Sequence, residues 1–223
     1  MFKRYAVYYT PEAALAECGA AWLGWDIAKG ASVDHPKVAA LDIENLTHTP
    51  RKYGLHGTIK PPFFLTEGTS VDQVQQELEA LCARLAPVTL DGLEVRELAG
   101  FIALTPIGDQ TALAGMAAQV VTKLDRFRAE PSEAELAKRR HMPLSAAQEQ
   151  NLHNWGYPYV MDQFRFHITL TGRLEGDVAH VTDAIRSHFS SHLPAPFHVG
   201  SLTFAGQDAD GMFHEIHRYA LTG

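Results

Sequence analysis

One order of secondary-structure patterns occurs twice in this sequence, and this repeat restricts the possible folds more than any other feature. Strand, helix, strand and strand patterns follow one another over residues of about 53–107 and again over residues of about 163–221. A chain that repeats one supersecondary unit commonly builds two related lobes. The sequence therefore predicts an α+β fold, in which two pseudo-symmetric βαββ-type lobes have antiparallel sheets that flank a central cleft.

The segments outside the two copies complete a single bilobal domain over residues 1–223. A strand is predicted at residues 2–10 and a helix from residue 12 to about 27, whereas residues 30–52 show no firm element. Capping-box pairs at Ser132 and Glu135 and at Ser145 and Gln148 predict two helices, which form an insert at residues of about 132–155. Within the copies, strands are expected at 53–65 (interrupted by two prolines), 88–98, 101–106, 163–173, 197–205 and 212–221, and helices at 70–85 and 178–193. A further helix is expected between the copies, at 111–127.

Each copy opens on a strand that carries a His-x-Thr motif. The first reads Leu-His-Gly-Thr-Ile-Lys at residues 55–60, and the second reads Phe-His-Ile-Thr-Leu-Thr at residues 166–171. Strand positions two apart face the same side, so each histidine shares a face with its threonine, and apolar neighbours pack behind them. One such motif occurs often by chance, but two that open the same order of elements indicate a function. If the lobes pair symmetrically, both motifs line one cleft.

Two histidines across a cleft are suited to reaction at a phosphodiester. In-line attack needs a base that removes a proton from the nucleophile and an acid that protonates the leaving oxygen, and histidine can do either near neutral pH. Threonine hydroxyls can donate hydrogen bonds to the non-bridging oxygens, where charge accumulates in the transition state. This chemistry requires no metal ion.

These residues resemble the two-histidine (2H) phosphoesterase superfamily, which has paired H-x-[ST]-x motifs in two similar lobes. The superfamily includes 2′-5′ RNA ligase-like proteins and cyclic nucleotide phosphodiesterases. The strings YGLHGTIKPPF at residues 53–63 and FRFHITLTG at residues 164–172 look like its bacterial branch encoded beside phosphonate-utilisation genes. The resemblance spans essentially the whole chain, but Gly57 stands where the superfamily pattern has an apolar residue. We expect this glycine to weaken local packing.

The resemblance implies a 2′-5′ RNA ligase-like fold and the roles of four residues. By this resemblance His56 and His167 are the catalytic pair, and Thr58 and Thr169 bind the phosphate. It also implies a role in phosphonate catabolism, with a cyclic ribosyl phosphate as one possible substrate. The insert at about 132–155 is larger than a minimal member needs, so the identity of the substrate does not follow from the resemblance.

Three further residues are candidates for binding substrate. Lys60 continues the predicted face of His56, and Arg165 precedes His167 on its face, so either side chain can neutralise a phosphate. A solvated charge at the sheet edge explains both equally well. Tyr53 can stack on a base or a sugar, although a core tyrosine is the favoured interpretation. The basic run at residues 138–141 can reach a second phosphate, but a solvated helix face is favoured.

Composition restricts the partners. The net charge of −7 provides no basic field for extended nucleic acid, and no segment has the length and hydropathy of a membrane span or a signal peptide. Two widely separated cysteines fit a reduced, cytoplasmic compartment. The sequence has no glycine-rich loop for a nucleotide and no set of ligands for a metal, so no cofactor is expected. The oligomeric state is not determined.

Together these features predict a metal-independent phosphoesterase that hydrolyses a small cyclic phosphodiester, such as a sugar cyclic phosphate or a 2′,3′-cyclic nucleotide. One histidine would activate water and the other would protonate the departing hydroxyl, and the near-equivalent motifs do not assign the two roles. Two alternatives stay open. One is an enzyme or ligase that acts on RNA ends, and the other is a non-catalytic protein that binds a phosphorylated metabolite in the same cleft.

Overall fold

The helices and strands follow the predicted alternation along the chain and differ from it mainly in length. The computed structural model describes residues 2–39, 41–141 and 143–223. Its strands are β1 (Arg4–Tyr9), β2 (Trp25–Asp26), β3 (Ala31–Ser32), β4 (Gly57–Phe63), β5 (Val88–Leu90), β6 (Gly92–Leu98), β7 (Phe101–Ile107), β8 (Ile168–Thr169), β9 (Phe197–Val199), β10 (Ser201–Gln207) and β11 (Phe213–Ala220). Its helices are α1 (Ala13–Leu23), α2 (Ile43–Thr47), α3 (Val71–Cys82), α4 (Thr111–Leu124), α5 (Glu133–Arg139), α6 (Ala146–Trp155) and α7 (Val178–Phe189).

Seven strands form one antiparallel sheet in the order β11-β10-β1-β4-β8-β7-β6. The two sequence copies are interleaved in this sheet. β4 of the first copy lies in the half that contains β1 and the β10–β11 hairpin, whereas β8 of the second copy lies beside the β6–β7 hairpin. The two halves meet where β4 pairs with β8. The predicted α+β fold is confirmed, and the strands that carry the two motifs are neighbours at its centre.

The two faces of the sheet have different surroundings near this junction. Val7 and Ile59 belong to the main hydrophobic core, which also includes buried side chains of α3 and α4. Tyr8, the next residue of β1, faces the other side and packs with Phe213. Strand alternation therefore leaves one face for the helices and the other for a cleft. None of the described helices combines the length and the hydropathy that crossing a bilayer requires.

Several local predictions need correction. The strand expected at 163–173 is limited to Ile168–Thr169, because the preceding residues have no partner strand and form a 3₁₀ turn at Met161–Gln163. The segment 30–52, for which no element was predicted, contains α2, whose N-terminus is capped by Asp42 through its side chain, which accepts a hydrogen bond from the Asn45 amide. Two adjacent prolines do not interrupt β4, which continues to Phe63.

The capping predictions for the insert are confirmed. Ser132 with Glu135 and Ser145 with Gln148 both form complete capping boxes, which begin α5 and α6. α6 ends at Gly156, whose φ of 71° is the left-handed conformation typical of a helix C-terminus. Local sequence signals are therefore sufficient to define these helices.

Gly57 allows the two motif strands to approach each other. A Cβ atom at this position would lie 2.2 Å from Cζ of Phe166, a side chain that packs against Tyr9 and Phe197. The expectation that this glycine weakens the packing is wrong, because the ring of Phe166 fills the volume that a side chain at position 57 would take.

Gly57→Ala is expected to lower the free energy of unfolding by about 1–3 kcal/mol, because the added methyl group overpacks the contact with Phe166. Urea denaturation measures this change. The matched control is Gly115→Ala, at an exposed position in α4 with open space around it. That variant is expected to be neutral or more stable, by roughly 0.5–1 kcal/mol. Wild-type stability of the Gly57→Ala variant would contradict the packing argument.

Candidate active site

A cavity of about 370 Å³ opens where β4 meets β8. Both motif histidines and both motif threonines line it, as does Tyr53. A cavity of this volume is at the small end of the range for ligand-binding pockets. The structure therefore brings together five of the seven residues that the sequence predicts for the site.

The register between β4 and β8 brings the four motif side chains to one face. Gly57 pairs with Ile168, so antiparallel alternation puts each motif histidine opposite the threonine of the other motif. Side chains at directly opposed positions have Cβ atoms about 4.5–5.5 Å apart. Each histidine is thus flanked by two threonine hydroxyls, one from its own strand and one from its neighbour.

The same backbone contact orients both histidine rings. Nδ1 of His56 lies 2.9 Å from the carbonyl oxygen of Gly54, and Nδ1 of His167 lies 2.8 Å from that of Arg165. A carbonyl oxygen can only accept, so Nδ1–H donates, and Nε2 carries the lone pair when the ring is neutral. At His56 this lone pair accepts a hydrogen bond from the Thr58 hydroxyl, over 3.1 Å.

The surroundings of His56 favour its neutral form. Its ring centroid lies 4.0 Å from that of Tyr8 and 5.7 Å from that of Tyr53. Burial lowers the pKa of His56 to about 4; His167 contributes in the same direction, and the hydrogen bond to Gly54 opposes the shift. His56 is therefore a free base at neutral pH, which a general base must be.

The ionisable lining of the cavity other than tyrosine is entirely basic. Besides the two histidines it contains Arg4, Arg139 and Arg173, and no aspartate or glutamate is among the described residues that line it. The whole chain, in contrast, carries a net charge of −7. Such local enrichment in one sign of charge attracts ligands of the other sign, so the cavity is suited to an anion.

Aromatic side chains form part of the wall. Tyr53 lines the cavity and also stacks on Phe213, with centroids 5.2 Å apart, so it belongs to the packing and to the site at once. Phe101 lies 5.7 Å from the ring of His167. These two rings offer apolar surface on the two sides of the cavity.

Lys60 does not reach the cavity, contrary to the sequence prediction. Val7 pairs with Lys60 whereas Tyr8 pairs with Thr58, so Ile59 is an extra residue and β4 has a bulge. The bulge turns Lys60 to the helix-covered face, where it is 1% exposed. There its Nζ donates to the Val121 carbonyl over 3.3 Å and lies 3.6 Å from Asp125. Burial lowers the pKa of Lys60 to about 8.

Arg165 is also outside the cavity. The prediction assumed that a strand starts well before His167, but β8 begins only at Ile168 and Arg165 lies in the irregular segment before it, so alternation does not apply to Arg165. The side chain of Arg165 is exposed, and its guanidinium donates to the carbonyl oxygens of Asp162 and Phe164. Its backbone carbonyl, which orients His167, is the part that contributes to the site.

The sequence interpretation did not identify the arginines and Tyr8 as lining residues. Arg4 and Tyr8 lie four residues apart on β1, and strand alternation therefore predicts that both side chains face the same side of the sheet. Arg139 is part of a basic run for which a solvated face was favoured, and Lys138 and Arg140 in that run are exposed. Only the tertiary position of the insert distinguishes Arg139 from its neighbours.

In the part of the chain that the structure describes, no three or more His, Cys, Asp or Glu side chains are grouped so as to hold a metal ion. The two cysteines are not nucleophile candidates, because burial raises the pKa of Cys18 to about 11 and that of Cys82 to about 12. The polar side chains that line the cavity carry imidazole, hydroxyl and guanidinium groups.

Comparison with known proteins identifies a family and several relatives. A family model described as "Protein of unknown function (DUF1045)" matches residues 58–214. The chain is 37% identical over 231 residues to "Ribose 1,5-bisphosphate phosphokinase PhnN" of Janthinobacterium sp. (strain Marseille), with 99% of this chain and 51% of that protein covered. It is 34% identical over 214 residues to the protein of the same name from Laribacter hongkongensis (strain HLHK9), with 94% and 50% covered. The chain thus spans about half the length of the curated relatives it matches.

Several solved structures of low sequence identity align with this chain along its whole length. Crystal structures of E. coli LigT complexed with 3′-AMP and of a phosphoesterase are 17% and 16% identical to this chain, each with a TM-score of 0.46, and each alignment covers both chains completely. E. coli LigT complexed with phosphate is 15% identical, also with a TM-score of 0.46, over 100% of this chain and 99% of that one. In this chain the interleaved repeats bring the paired His-x-Thr motifs to one cavity.

The stability of the protein is expected to decrease as the pH falls from about 6.5 to about 4, the range between the ordinary pKa of histidine and that of His56 in the fold. Within this range the unfolded chain binds a proton at His56 that the folded protein excludes. His56→Gln should make the decrease shallower. Urea denaturation at the two ends of the range measures the difference.

The control for this measurement is His198→Gln, at an exposed position on β9. It should retain the wild-type dependence on pH. An equal slope in the wild type and the His56→Gln variant, or an NMR titration of the His56 ring near pH 6.5, would contradict the neutral state assigned to His56.

Proposed function

This chain belongs to the family described as protein of unknown function DUF1045, a description that names no reaction, and we propose from the site itself that the protein is a phosphoesterase that hydrolyses a small cyclic phosphodiester. One observation carries the proposal: two histidines and two threonines lie on one face of a strand pair, and Nδ1 of each histidine donates to a backbone carbonyl, so that Nε2 carries the lone pair of the neutral ring. Paired Nε2 atoms beside hydroxyl donors suit acid and base catalysis at phosphorus.

The surroundings of the two histidines divide the roles between them. His56, which is neutral, removes a proton from water while the water oxygen attacks phosphorus. His167, in its protonated form, gives its Nε2 proton to the leaving oxygen as the bond from phosphorus to that oxygen breaks. The product is a phosphomonoester with a free hydroxyl group, and one proton transferred between the histidines through solvent restores the resting state.

The threonines stabilise the phosphate in this scheme. The hydroxyl of Thr58, which donates to His56 in the free protein, turns to a non-bridging oxygen when substrate binds. This rotation leaves Nε2 of His56 free to accept the proton of water. Thr169, opposite His56, donates to the second non-bridging oxygen. Charge that develops on both oxygens in the transition state is thereby met by donors already in position.

The size and charge of the cavity support a small anionic substrate. A volume of about 370 Å³ fits a sugar phosphate or a mononucleotide better than a polymer. The three arginines of the lining complement the negative charge, while the chain as a whole is acidic and disfavours a long nucleic acid. A sugar cyclic phosphate or a 2′,3′-cyclic nucleotide is therefore the substrate class we propose.

Phosphonate catabolism is the proposed setting. The sequence motifs resemble the branch encoded beside phosphonate-utilisation genes, and the name of the curated relatives refers to a phosphorylated ribose. The phosphokinase activity in that name is not proposed for this chain, which has no G-x-x-x-x-G-K-[ST] loop for nucleotide phosphates and spans about half of those proteins.

His56→Ala and His167→Ala are each expected to lower kcat for 2′,3′-cyclic AMP by at least about 100-fold, because each removes one proton-transfer group. Product formation is measured by chromatography, and circular dichroism verifies that the variants are folded. His198→Ala, exposed on β9, serves as the control and should retain wild-type activity. Wild-type rates in both motif variants would refute the catalytic proposal.

Activity is expected to survive removal of metal ions, since the proposed steps use histidine and threonine alone. The protein is dialysed against a chelator and assayed with and without added zinc or manganese. Rates should agree with those of untreated protein. Loss of activity after chelation, together with recovery on adding either metal, would show that the proposed mechanism is incomplete.

A further inference from the structure

Arginines in this protein usually pair with carboxylates, and those of the cavity are exceptions. Among the residues that the structure describes, seven of the twelve arginines form ion pairs with aspartate or glutamate. Arg140, next to Arg139 in the insert, pairs with Glu149. Within the part of the chain that the structure describes, no carboxylate lies within ion-pair distance of Arg4 or Arg139. Both side chains line the cavity, so their charge is available to a ligand.

Arg4 is held in place by a buried partner. Its Nε donates to Oε1 of Gln207 over 2.7 Å, and Gln207 is 8% exposed. The amide of Gln207 donates in turn to the Gly211 carbonyl over 2.9 Å, which fixes its orientation. The two terminal nitrogens of Arg4 have no hydrogen-bond partner among the described residues. A guanidinium that is fixed at Nε and has both terminal nitrogens unoccupied can bind an oxyanion through two parallel hydrogen bonds.

Tyr8 supplies an independent sign of a ligand. Its side chain is fully buried and lines the cavity, yet its hydroxyl has no hydrogen-bond partner among the described residues. A buried hydroxyl without a partner is costly, so the phenol needs an acceptor that the described part of the protein does not provide. Tyr8 lies on the same face of β1 as Arg4, and an oxyanion bound by Arg4 can accept its proton.

The insert contributes the second cation. The guanidinium of Arg139 lies 4.6 Å from the ring centroid of Tyr157, and both residues line the cavity. This contact holds Arg139 at the wall although α5 is otherwise solvated. The basic run in the insert is thereby explained, because one of its members faces the cavity while Lys138 and Arg140 remain exposed.

Arg4 lies at a distance from the motifs along β1, and Tyr8 lies between the two. Tyr8 pairs with Thr58, and Arg4 precedes Tyr8 by four residues on β1. At the rise of a strand, the Cα atoms of Arg4 and Tyr8 are about 13 Å apart. An anion bound at Arg4 is therefore a different group from a phosphate bound at the motif threonines.

We propose that Arg4 and Arg139, with the hydroxyls of Tyr8 and Tyr157, form a second anion site that binds a terminal phosphate of the substrate. This inference rests on the proposed function and specifies the substrate class: a small cyclic phosphodiester that also carries a phosphomonoester at its other end. Two guanidinium groups and two phenols supply enough hydrogen-bond donors for the three terminal oxygens of a phosphate dianion. A single carboxylate, with two oxygens, would use fewer of these donors.

A matched pair of substrates tests the site. 2′,3′-Cyclic AMP and the same nucleotide with a 5′-phosphate differ only in the second phosphate. The wild-type kcat/KM is expected to be at least about ten-fold higher for the phosphorylated member, mainly through KM. Arg4→Gln and Arg139→Gln should each reduce this ratio several-fold. Tyr8→Phe retains the packing against His56 and should reduce it as well.

Two control variants each remove one positive charge beside the proposed site and leave the residues of the site unchanged. Lys3→Gln and Arg140→Gln remove exposed cations next to Arg4 and Arg139, and both should retain the wild-type ratio. A wild-type ratio near one, or equal ratios in the wild type and the Arg4→Gln and Arg139→Gln variants, would overturn the second site.

A binding measurement separates this inference from the proposed function. Calorimetry on the His56→Ala variant compares adenosine 3′,5′-bisphosphate with 3′-AMP, and the bisphosphate should bind at least about ten-fold more tightly unless Arg4 is also replaced. If neither cyclic nucleotide is hydrolysed but this preference is found, the proposed function fails and the anion site stands. If both nucleotides are hydrolysed and neither the rates nor the affinities show a preference, the proposed function stands and the anion site fails.

Discussion

The short antiparallel pairing between β4 and β8 is the interaction on which the rest of the structure depends. It joins the two halves of the sheet through the pairing of Gly57 with Ile168, and it aligns the four motif side chains on one face. The close approach is possible because residue 57 has no side chain and the ring of Phe166 fills the space beneath it. Packing on one face of this junction thus determines the geometry of the reactive groups on the other.

Two nearly identical motifs acquire different properties from their neighbours. His56 lies between two tyrosine rings and is held neutral by burial, whereas His167 has Phe101 beside it and follows an irregular segment. The sequence treats the motifs as equivalent, and in the mechanism we propose only their surroundings distinguish the base from the acid. Many enzymes divide acid and base roles between like residues in this way, through unequal environments.

Features that depend on local sequence could be predicted, and those that depend on distant contacts could not. The capping boxes of the insert and the apolar residues behind each His-x-Thr motif involve neighbours within a few positions. Lys60 was misassigned because a bulge at Ile59 shifts the alternation of β4, and no residue near it signals a bulge. Arg139 was favoured as solvated because its partner in the cavity wall, Tyr157, lies beyond the insert in the sequence.

The interleaving of the two copies has a consequence for how the molecule forms. β4 needs β1 and the last hairpin of the chain for its half of the sheet, while β8 needs a hairpin made much earlier. Pairings such as that of Arg4 with Gln207 connect residues near opposite ends of the sequence. Long-range pairings of this kind slow folding, because the chain must close a large loop before it gains any contact energy. Each half of the sheet contains strands from both copies, so neither copy can build half of the cavity alone.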